Sequence, residues 1–124
     1  ALAVNDQREP ASSSDQECPY LQWWPAEGTL EWVQYDFARP ATVSVVEVYW
    51  YDDTGRGECR VPASWQVLYK SGEGWRPVQN LDPYGLEKDV YNVVRFKSVR
   101  TQALRLEIQL QQDFSAGIHE WTVK

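Results

Sequence analysis

The sequence has no methionine, a single histidine and only two cysteines among its 124 residues. It has no Cys-x-x-Cys pair, so the usual clustered zinc sites are excluded. No Gly-x-Ser-x-Gly elbow accompanies Ser12–Ser14. Asp52 and Asp53 are neighbours whose side chains diverge in an extended segment, whereas glycosidase carboxylates face each other across about 5–10 Å. We therefore expect a domain that is not an enzyme.

Clusters of positive charge and long apolar runs are missing as well. The formal net charge is −6, from 18 acidic and 12 basic residues. Without a basic patch, neither nucleic acid nor an anionic membrane surface is an expected partner. No apolar run approaches the roughly 18 residues of a membrane-spanning helix.

The first residues, ALAVNDQREP, have neither the basic nor the apolar region of a signal peptide. Because position 1 is not methionine, we expect a segment cut from a longer protein. A targeting signal upstream of the segment would then direct that protein to the periplasm or the extracellular space.

The two cysteines, Cys18 and Cys59, permit one disulfide. The bridge would close a loop of about 40 residues and stabilise the fold by ~3–4 kcal/mol in the chain-entropy model. The alternative is a pair of unbridged thiols, and the sequence leaves both readings open.

Aromatic residues are abundant: the chain has seven Trp and seven Tyr, and 43% of its residues are hydrophobic. Most of the aromatic rings are expected in a core, because they bury large areas. Seven Trp exceed what a core of this size normally uses, so one or two are available for a binding surface. Sugar rings stack their apolar C–H face on such exposed rings.

Alternation of apolar and polar residues predicts about eight short strands and no helix. In the stretch Val46–Trp65, Val46, Val48 and Trp50 share one face before a charged loop, and Trp65 and Val67 resume the core face after it. The predicted strands are Leu30–Ala38, Thr42–Tyr51, Trp65–Lys70, Trp75–Val78, Tyr91–Phe96, Ala103–Gln111 and Ile118–Val123. We expect one antiparallel β-sandwich domain spanning residues 1–124, and a monomer.

The order of motifs resembles the discoidin, or coagulation-factor type C, group of galactose-binding-like jelly rolls. The resemblance rests on EWVQYDFARP, PASWQVLYKSGEGWRPV, ALRLE and GIHEWTV. More narrowly, the chain is similar to the C-terminal module of bacterial glycoside hydrolase family 127 proteins, the β-L-arabinofuranosidase group. That similarity rests on Asn5-Asp6, Trp23-Trp24-Pro25, Gly28-Thr29, Tyr49–Asp53 and Phe114–Trp121.

The resemblance implies a non-catalytic accessory module that binds carbohydrate by aromatic stacking and loop hydrogen bonds. The alternative is a structural module that packs on the catalytic domain of its parent chain and binds no sugar. This fold hosts both kinds of function, so the fold alone does not choose between them.

The resemblance also implies a structural calcium ion that joins the two ends of the chain. By motif position Asp6 and Glu120 match its ligands, with Asn5 and Ser13 as helpers. Here Asn5-Asp6-Gln7 replaces the Asp-Gly-Asn that many members have. The alternative is a hydrogen-bonded Glu120 and a plain turn at Asn5-Asp6.

The loop Tyr51–Arg60 is where the resemblance predicts sugar contacts. Planar and charged groups there suit vicinal hydroxyls, and aromatic residues near the loop provide a stacking surface or, for Phe114, a plug at the end of the sandwich. The alternatives are a loop held by its own Asp–Arg pairs and a loop that faces the catalytic domain. The candidate ligand-binding residues are Trp24, Tyr51, Asp52, Asp53, Arg56, Arg60 and Phe114.

The sequence also predicts where the adjacent tryptophans and the single histidine lie. Trp23 and Trp24 point to opposite sides of an extended segment, so one is expected in the core and the other at the surface. His119 is the only histidine, and it is expected at the surface without an acid–base role.

Overall fold

The structure is a computed structural model that describes residues 21–23, 27–52, 54 and 59–124. Every regular element within these ranges is a β-strand, and they include no helix long and apolar enough to span a membrane. The strands are β1 (Leu21–Gln22), β2 (Leu30–Tyr51), β3 (Ser64–Ser71), β4 (Gly74–Pro77), β5 (Tyr91–Gln109) and β6 (Gly117–Val123). All their pairings are antiparallel, in the order β1-β6-β2-β5-β3-β4. The predicted all-β, antiparallel class is confirmed.

The two longest strands are β2 and β5, and they pair with each other along most of their length. Their register shifts between Asp36 and Ala41, a stretch that contains Arg39-Pro40. Proline has no N–H for the ladder, so regular pairing cannot continue through it. The sequence predicted a break at this point, and the structure has a bend within one continuous strand.

The bend divides the sheet into two layers, and both long strands contribute to each. The front layer consists of β3, β4, residues Leu30–Asp36 of β2 and residues Ala103–Gln109 of β5. The back layer consists of β1, β6, residues Val45–Tyr51 of β2 and residues Tyr91–Arg95 of β5. The described residues form six strands, of which β2 and β5 each contribute a segment to both layers.

The core lies between the two layers and draws on both. Tyr35 of the front layer meets Trp121 of the back layer edge to face, with 6.1 Å between ring centroids. All five core residues predicted from alternation are buried in this cluster: Val46, Val48, Trp50, Trp65 and Val67.

The back layer also buries residues on the side that faces away from this core. His119 is fully buried, with its ring 5.9 Å from that of Tyr49 and 5.1 Å from that of Tyr51. The expectation of a surface histidine was therefore wrong. His119 also lies at a bulge, because Tyr49 pairs with Glu120 and Trp50 with Ile118, which leaves His119 as the extra residue between them.

The connection between β4 and β5 is fixed to both layers through one backbone carbonyl. Trp50 of the back layer and Trp65 of the front layer donate their indole Nε1–H groups to the Gly85 oxygen, at 3.3 and 2.8 Å. The two indoles also meet edge to face at 5.3 Å. Buried tryptophan N–H groups need such an acceptor, so this connection completes the core.

Asn92 secures the same connection from the back layer. Its Oδ1 accepts from the Glu87 backbone N–H at 3.0 Å, and its Nδ2 donates to the carbonyls of Val48 at 3.3 Å and Glu87 at 3.0 Å. A Cβ on Gly85 would lie 2.5 Å from the Asn92 Oδ1. The close approach explains the glycine at position 85.

Asp82 and Arg95 form an exposed ion pair at the start of this connection. The Asp82 carboxylate accepts from the backbone N–H of Arg95 at 2.8 Å, and from its Nε and Nη2 at 2.9 and 2.8 Å. These hydrogen bonds from Arg95 lower the pKa of Asp82 to about 2. The pair is exposed, so it contributes little to stability.

We expect Asn92→Ala to lower the free energy of unfolding by about 2–3 kcal/mol, because it leaves buried backbone groups of Val48 and Glu87 without their partner. Asn80→Ala is the matched control, since Asn80 donates one exposed hydrogen bond to the Asp82 carbonyl. Its loss should stay below about 0.5 kcal/mol. Urea unfolding measures both, and equal losses would contradict the assigned role of Asn92.

Candidate functional site

The predicted ligand loop lies beside the loop that precedes β6. Cys59 forms an isolated bridge with Ser115, and the Arg60 N–H donates to the Ser115 carbonyl at 3.0 Å. Gly28 donates its N–H to the Phe114 carbonyl at 3.2 Å. We call the described parts of residues 51–61 and 111–116 the loop end. Loops held on a rigid scaffold are where binding sites usually lie.

Asp52 anchors the loop end from inside. Its side chain is 3% exposed. One carboxylate oxygen accepts from the backbone N–H of Thr54 at 3.0 Å and from the Thr54 hydroxyl, and the other accepts from the Val61 N–H at 3.1 Å. The Lys88 Nζ lies 3.7 Å away. Asp52 is thus engaged with its own loop, which favours a structural role over direct ligand contact.

The same contacts set the protonation of Asp52. Burial alone would raise the pKa of its carboxyl group, but hydrogen bonds from Thr54 and Val61 outweigh burial, with Lys88 adding to them. The net pKa lies below the ordinary value of 3.8. Asp52 therefore remains ionised at neutral pH, as its three hydrogen-bond donors require.

Arg60 and Phe114 are brought together by the fold, although they are far apart in sequence. The guanidinium carbon of Arg60 lies 4.5 Å from the centroid of the Phe114 ring. Its Nη1 donates to the Cys59 carbonyl at 2.9 Å. Both side chains are half-buried. The pair thus places an apolar ring and a planar cationic donor at one partly exposed point.

The remaining predicted site residues separate into two groups. Tyr51 is 1% exposed, so its ring has no free face for stacking, and Glu120 on β6 is fully buried.

The other predicted site residues lie outside the described residues: Trp24, Asp53, Arg56, the predicted calcium ligands Asn5, Asp6 and Ser13, and Cys18. Their roles, including the disulfide with the buried Cys59, stay predictions. Trp23 packs partly buried against the core.

Sequence reasoning missed an aromatic feature on the front layer. The Arg105 guanidinium lies between the rings of Trp32 and Trp75, with its carbon 4.1 and 4.3 Å from their centroids. Alternation already directed Trp32 and Arg105 outward. The missing information was the strand pairing that brings residues from β2, β5 and β4 together.

No protein-family model and no curated protein matches the chain. Solved structures do match. A chain of the Streptococcus pneumoniae β-galactosidase BgaA has a TM-score of 0.80 at 15% identity, over 98% of this chain and 84% of that one. The family 32 carbohydrate-binding module of Clostridium perfringens NanJ, solved with galactose, has a TM-score of 0.66 at 13% identity, over 97% and 88%.

A third similar structure is chitosan-binding module 1 of a chitosanase/glucanase from Paenibacillus sp. IK-5. Its TM-score is 0.64 at 16% identity, over 99% of this chain and 97% of that one. Identities this low establish the fold alone. The predicted galactose-binding-like β-sandwich fold is confirmed, whereas the narrower match to family 127 proteins stays a prediction.

We expect Asp52→Ala to destabilise the chain by about 1–3 kcal/mol, because it removes the acceptor for the Thr54 and Val61 N–H groups. Asp36→Ala is the control, since Asp36 is exposed and accepts one bond from Gln34. Because the pKa of Asp52 is lowered by folding, its contribution is present above pH 3.8 and is lost as the pH falls through the folded pKa. Urea unfolding at pH 7 and pH 3 measures this, and a difference between wild type and Asp52→Ala that does not shrink at pH 3 would contradict it.

Proposed function

We propose that this chain is a non-catalytic carbohydrate-binding module that binds a terminal sugar at its loop end. The observation that carries the proposal is the pair formed by Arg60 and Phe114, whose ring and guanidinium lie together at a partly exposed point. The fold supports it, since similar structures include modules described as binding chitosan and pectin and one solved with galactose.

The proposed mechanism has no chemical step. The apolar face of a sugar ring packs against Phe114, while Arg60 donates hydrogen bonds to neighbouring hydroxyls. Asp52 contributes indirectly, because it holds the turn that leads to Arg60. Trp24, Asp53 and Arg56 complete the proposed contact set.

The proposed setting is a larger bacterial glycoside hydrolase of the periplasm or the extracellular space. Similar structures include modules of glycoside hydrolases, among them a family 31 enzyme and a family 29 fucosidase. A binding module there increases the local concentration of substrate around the catalytic domain. The module acts as a monomer, and the parent of family 127 type is part of this proposal.

Isothermal titration against galactose, N-acetylgalactosamine and arabinose tests the loop-end site. We expect one of these sugars to bind weakly, and Phe114→Ala to reduce its affinity about tenfold, because the stacking surface is lost. Leu81→Ala is the matched control, since Leu81 is an exposed apolar residue outside the loop end. If none of the sugars binds at millimolar concentration, the proposal fails.

A calcium ion joining the chain ends is part of the proposal. The chemistry of the donors fits, because Glu120, Asp6, Asn5 and Ser13 each have a side-chain oxygen, which Ca²⁺ prefers as a ligand. Glu120 is a fully buried carboxylate on β6. Within residues 21–23, 27–52, 54 and 59–124, no cluster of three or more acidic, Cys or His side chains could hold a metal, so ligands from the first residues are essential.

Calcium should therefore raise the melting temperature of the chain, and EDTA should lower it, because an ion that binds only the folded state stabilises it. A calcium excess of a hundred times Kd corresponds to about 2.7 kcal/mol. Magnesium serves as the control cation, since it prefers a smaller octahedral site. Identical melting temperatures in calcium and in EDTA would exclude the ion.

A second candidate function is a structural module that packs on the catalytic domain. The observation favouring it is an exposed apolar group around the start of β5, formed by Val90 and Val93 with Leu86. Exposed apolar patches mark contact surfaces. Val93→Ser should then lower the melting temperature of the full parent protein while leaving that of the isolated chain unchanged.

A further inference from the structure

The outer side of the front layer carries a stack that the loop-end site does not use. Arg105 of β5 lies between Trp32 of β2 and Trp75 of β4. Because neighbouring strands are about 4.8 Å apart, the four strands from β2 to β4 span roughly 14 Å, and the three side chains meet within that span. We call Trp32, Arg105 and Trp75 the sheet-face stack.

The sheet-face stack has further contacts with its neighbours on the outer side of the layer. The Nη2 of Arg105 donates to the Gln34 Oε1 at 2.9 Å, which fixes the guanidinium plane between the two indoles. Leu68 pairs with Arg105 in the register and is only 8% exposed, although it lies on the outer side. The stack thus lies over the buried Leu68, and the Arg105 guanidinium packs against the Trp32 ring.

Trp32 nevertheless remains 55% exposed. Only one face of its ring can lie against the guanidinium, so the exposed area belongs to the other face and the edges. Residues Leu30–Asp36 pair with β5 and have no second partner strand among the described residues, so Trp32 stands at the edge of the described part of the layer. The open indole face is therefore available to pack against a ligand.

A groove of about 320 Å³ on the same layer is lined by polar side chains, among them Gln66, Glu107 and Gln109, together with apolar ones. Glu107 is opposite Trp32 on one side and opposite Gln66 on the other. The Gln66 Nε2 donates to Glu107 Oε1 at 3.0 Å, and the Nε2 of Gln109 is held by the Gly28 carbonyl at 3.0 Å. The groove therefore presents oriented carboxylate and amide groups next to the exposed indole.

The exposed indole of Trp32 and the oriented polar groups beside it indicate the chemical class of the ligand. Arg105 and Glu107 are two residues apart on one strand, so their charges nearly cancel, which disfavours nucleic acid and other polyanions. An indole face beside planar hydrogen-bonding groups matches a sugar, which has an apolar face and a rim of hydroxyls. The surface runs across several strands, so it has room for successive rings of a chain.

We infer that the front layer is a second carbohydrate site, which binds a neutral linear oligosaccharide laid across the strands from Trp32 over the groove at Glu107. The inference rests on the proposed carbohydrate-binding function, and it differs from that function in place and ligand. The loop end takes a terminal sugar, whereas the sheet face takes internal units of a chain.

The test is isothermal titration of the chain with cellohexaose, xylohexaose, mannohexaose and linear arabinohexaose, alongside the monosaccharides. We expect one of the linear chains to bind, with Trp32→Ala weakening it about tenfold. Trp32→Phe should retain most of the affinity because it keeps an aromatic face. Glu107→Gln should weaken binding several-fold, and Phe114→Ala and Leu81→Ala should leave the affinity for the linear chain unchanged.

The outcomes distinguish this inference from the proposed function. If linear chains bind equally well to wild type and to Trp32→Ala, or if only terminal sugars bind and Phe114→Ala abolishes that binding, the sheet-face site is wrong and the loop-end function stands. If no sugar binds the wild-type chain at either place, the carbohydrate function itself fails. Unchanged melting temperatures of the variants confirm that each comparison is made on folded protein.

Discussion

The two layers of this sandwich depend on one acceptor, the backbone carbonyl of Gly85. Trp50 and Trp65 come from opposite layers, and both direct an indole N–H to that oxygen. Without it, two donors would be buried without a partner, which costs about 1–3 kcal/mol for each. The connection between β4 and β5 therefore has to close over the core, and Asn92 fixes it there from the back layer. These hydrogen bonds thus help to fix the distance between the two layers. Apolar packing alone would specify that distance less strictly.

Hydrogen bonds to a buried polar group also position the loop end. Asp52 follows β2 directly, and its carboxylate collects the N–H groups of Thr54 and Val61 at the two sides of the charged loop. In the sequence, Asp52 lies next to aromatic residues, which suggested a ligand-binding role. In the structure, its buried carboxylate instead accepts hydrogen bonds from the loop that follows it. The side chain that this loop leaves partly exposed is Arg60, which Phe114 meets from the other loop. The residues of the proposed sugar contact, Arg60 and Phe114, are therefore neighbours of Asp52 in the loop end and not Asp52 itself.

Alternation predicted the fold class and the core faces, because side-chain direction in a strand is a local property. It assigned Val46, Val48, Trp50, Trp65 and Val67 correctly. It could not show that the opposite side of the back layer is also buried, since what covers a face is decided by distant parts of the chain. For this reason Tyr51 was predicted to contact a ligand and His119 to lie at the surface, although both are buried. The bulge at His119 is likewise not visible in the sequence. The Trp32–Arg105–Trp75 stack was hidden likewise, because it depends on the pairing of three strands.

The two candidate sites differ in the kind of surface that they offer. A loop end encloses a ligand from several sides and suits the end of a glycan, whereas a sheet face is open at both margins and suits its middle. The front layer shows the features expected of the second kind: an indole exposed at an edge strand, fixed from behind by Arg105, and polar groups in register beside it. A stack that only stabilised the sheet would not need an indole more than half exposed, since its packing against Arg105 uses one ring face. The uncovered face of Trp32 is thus the strongest reason to look for a ligand on the sheet.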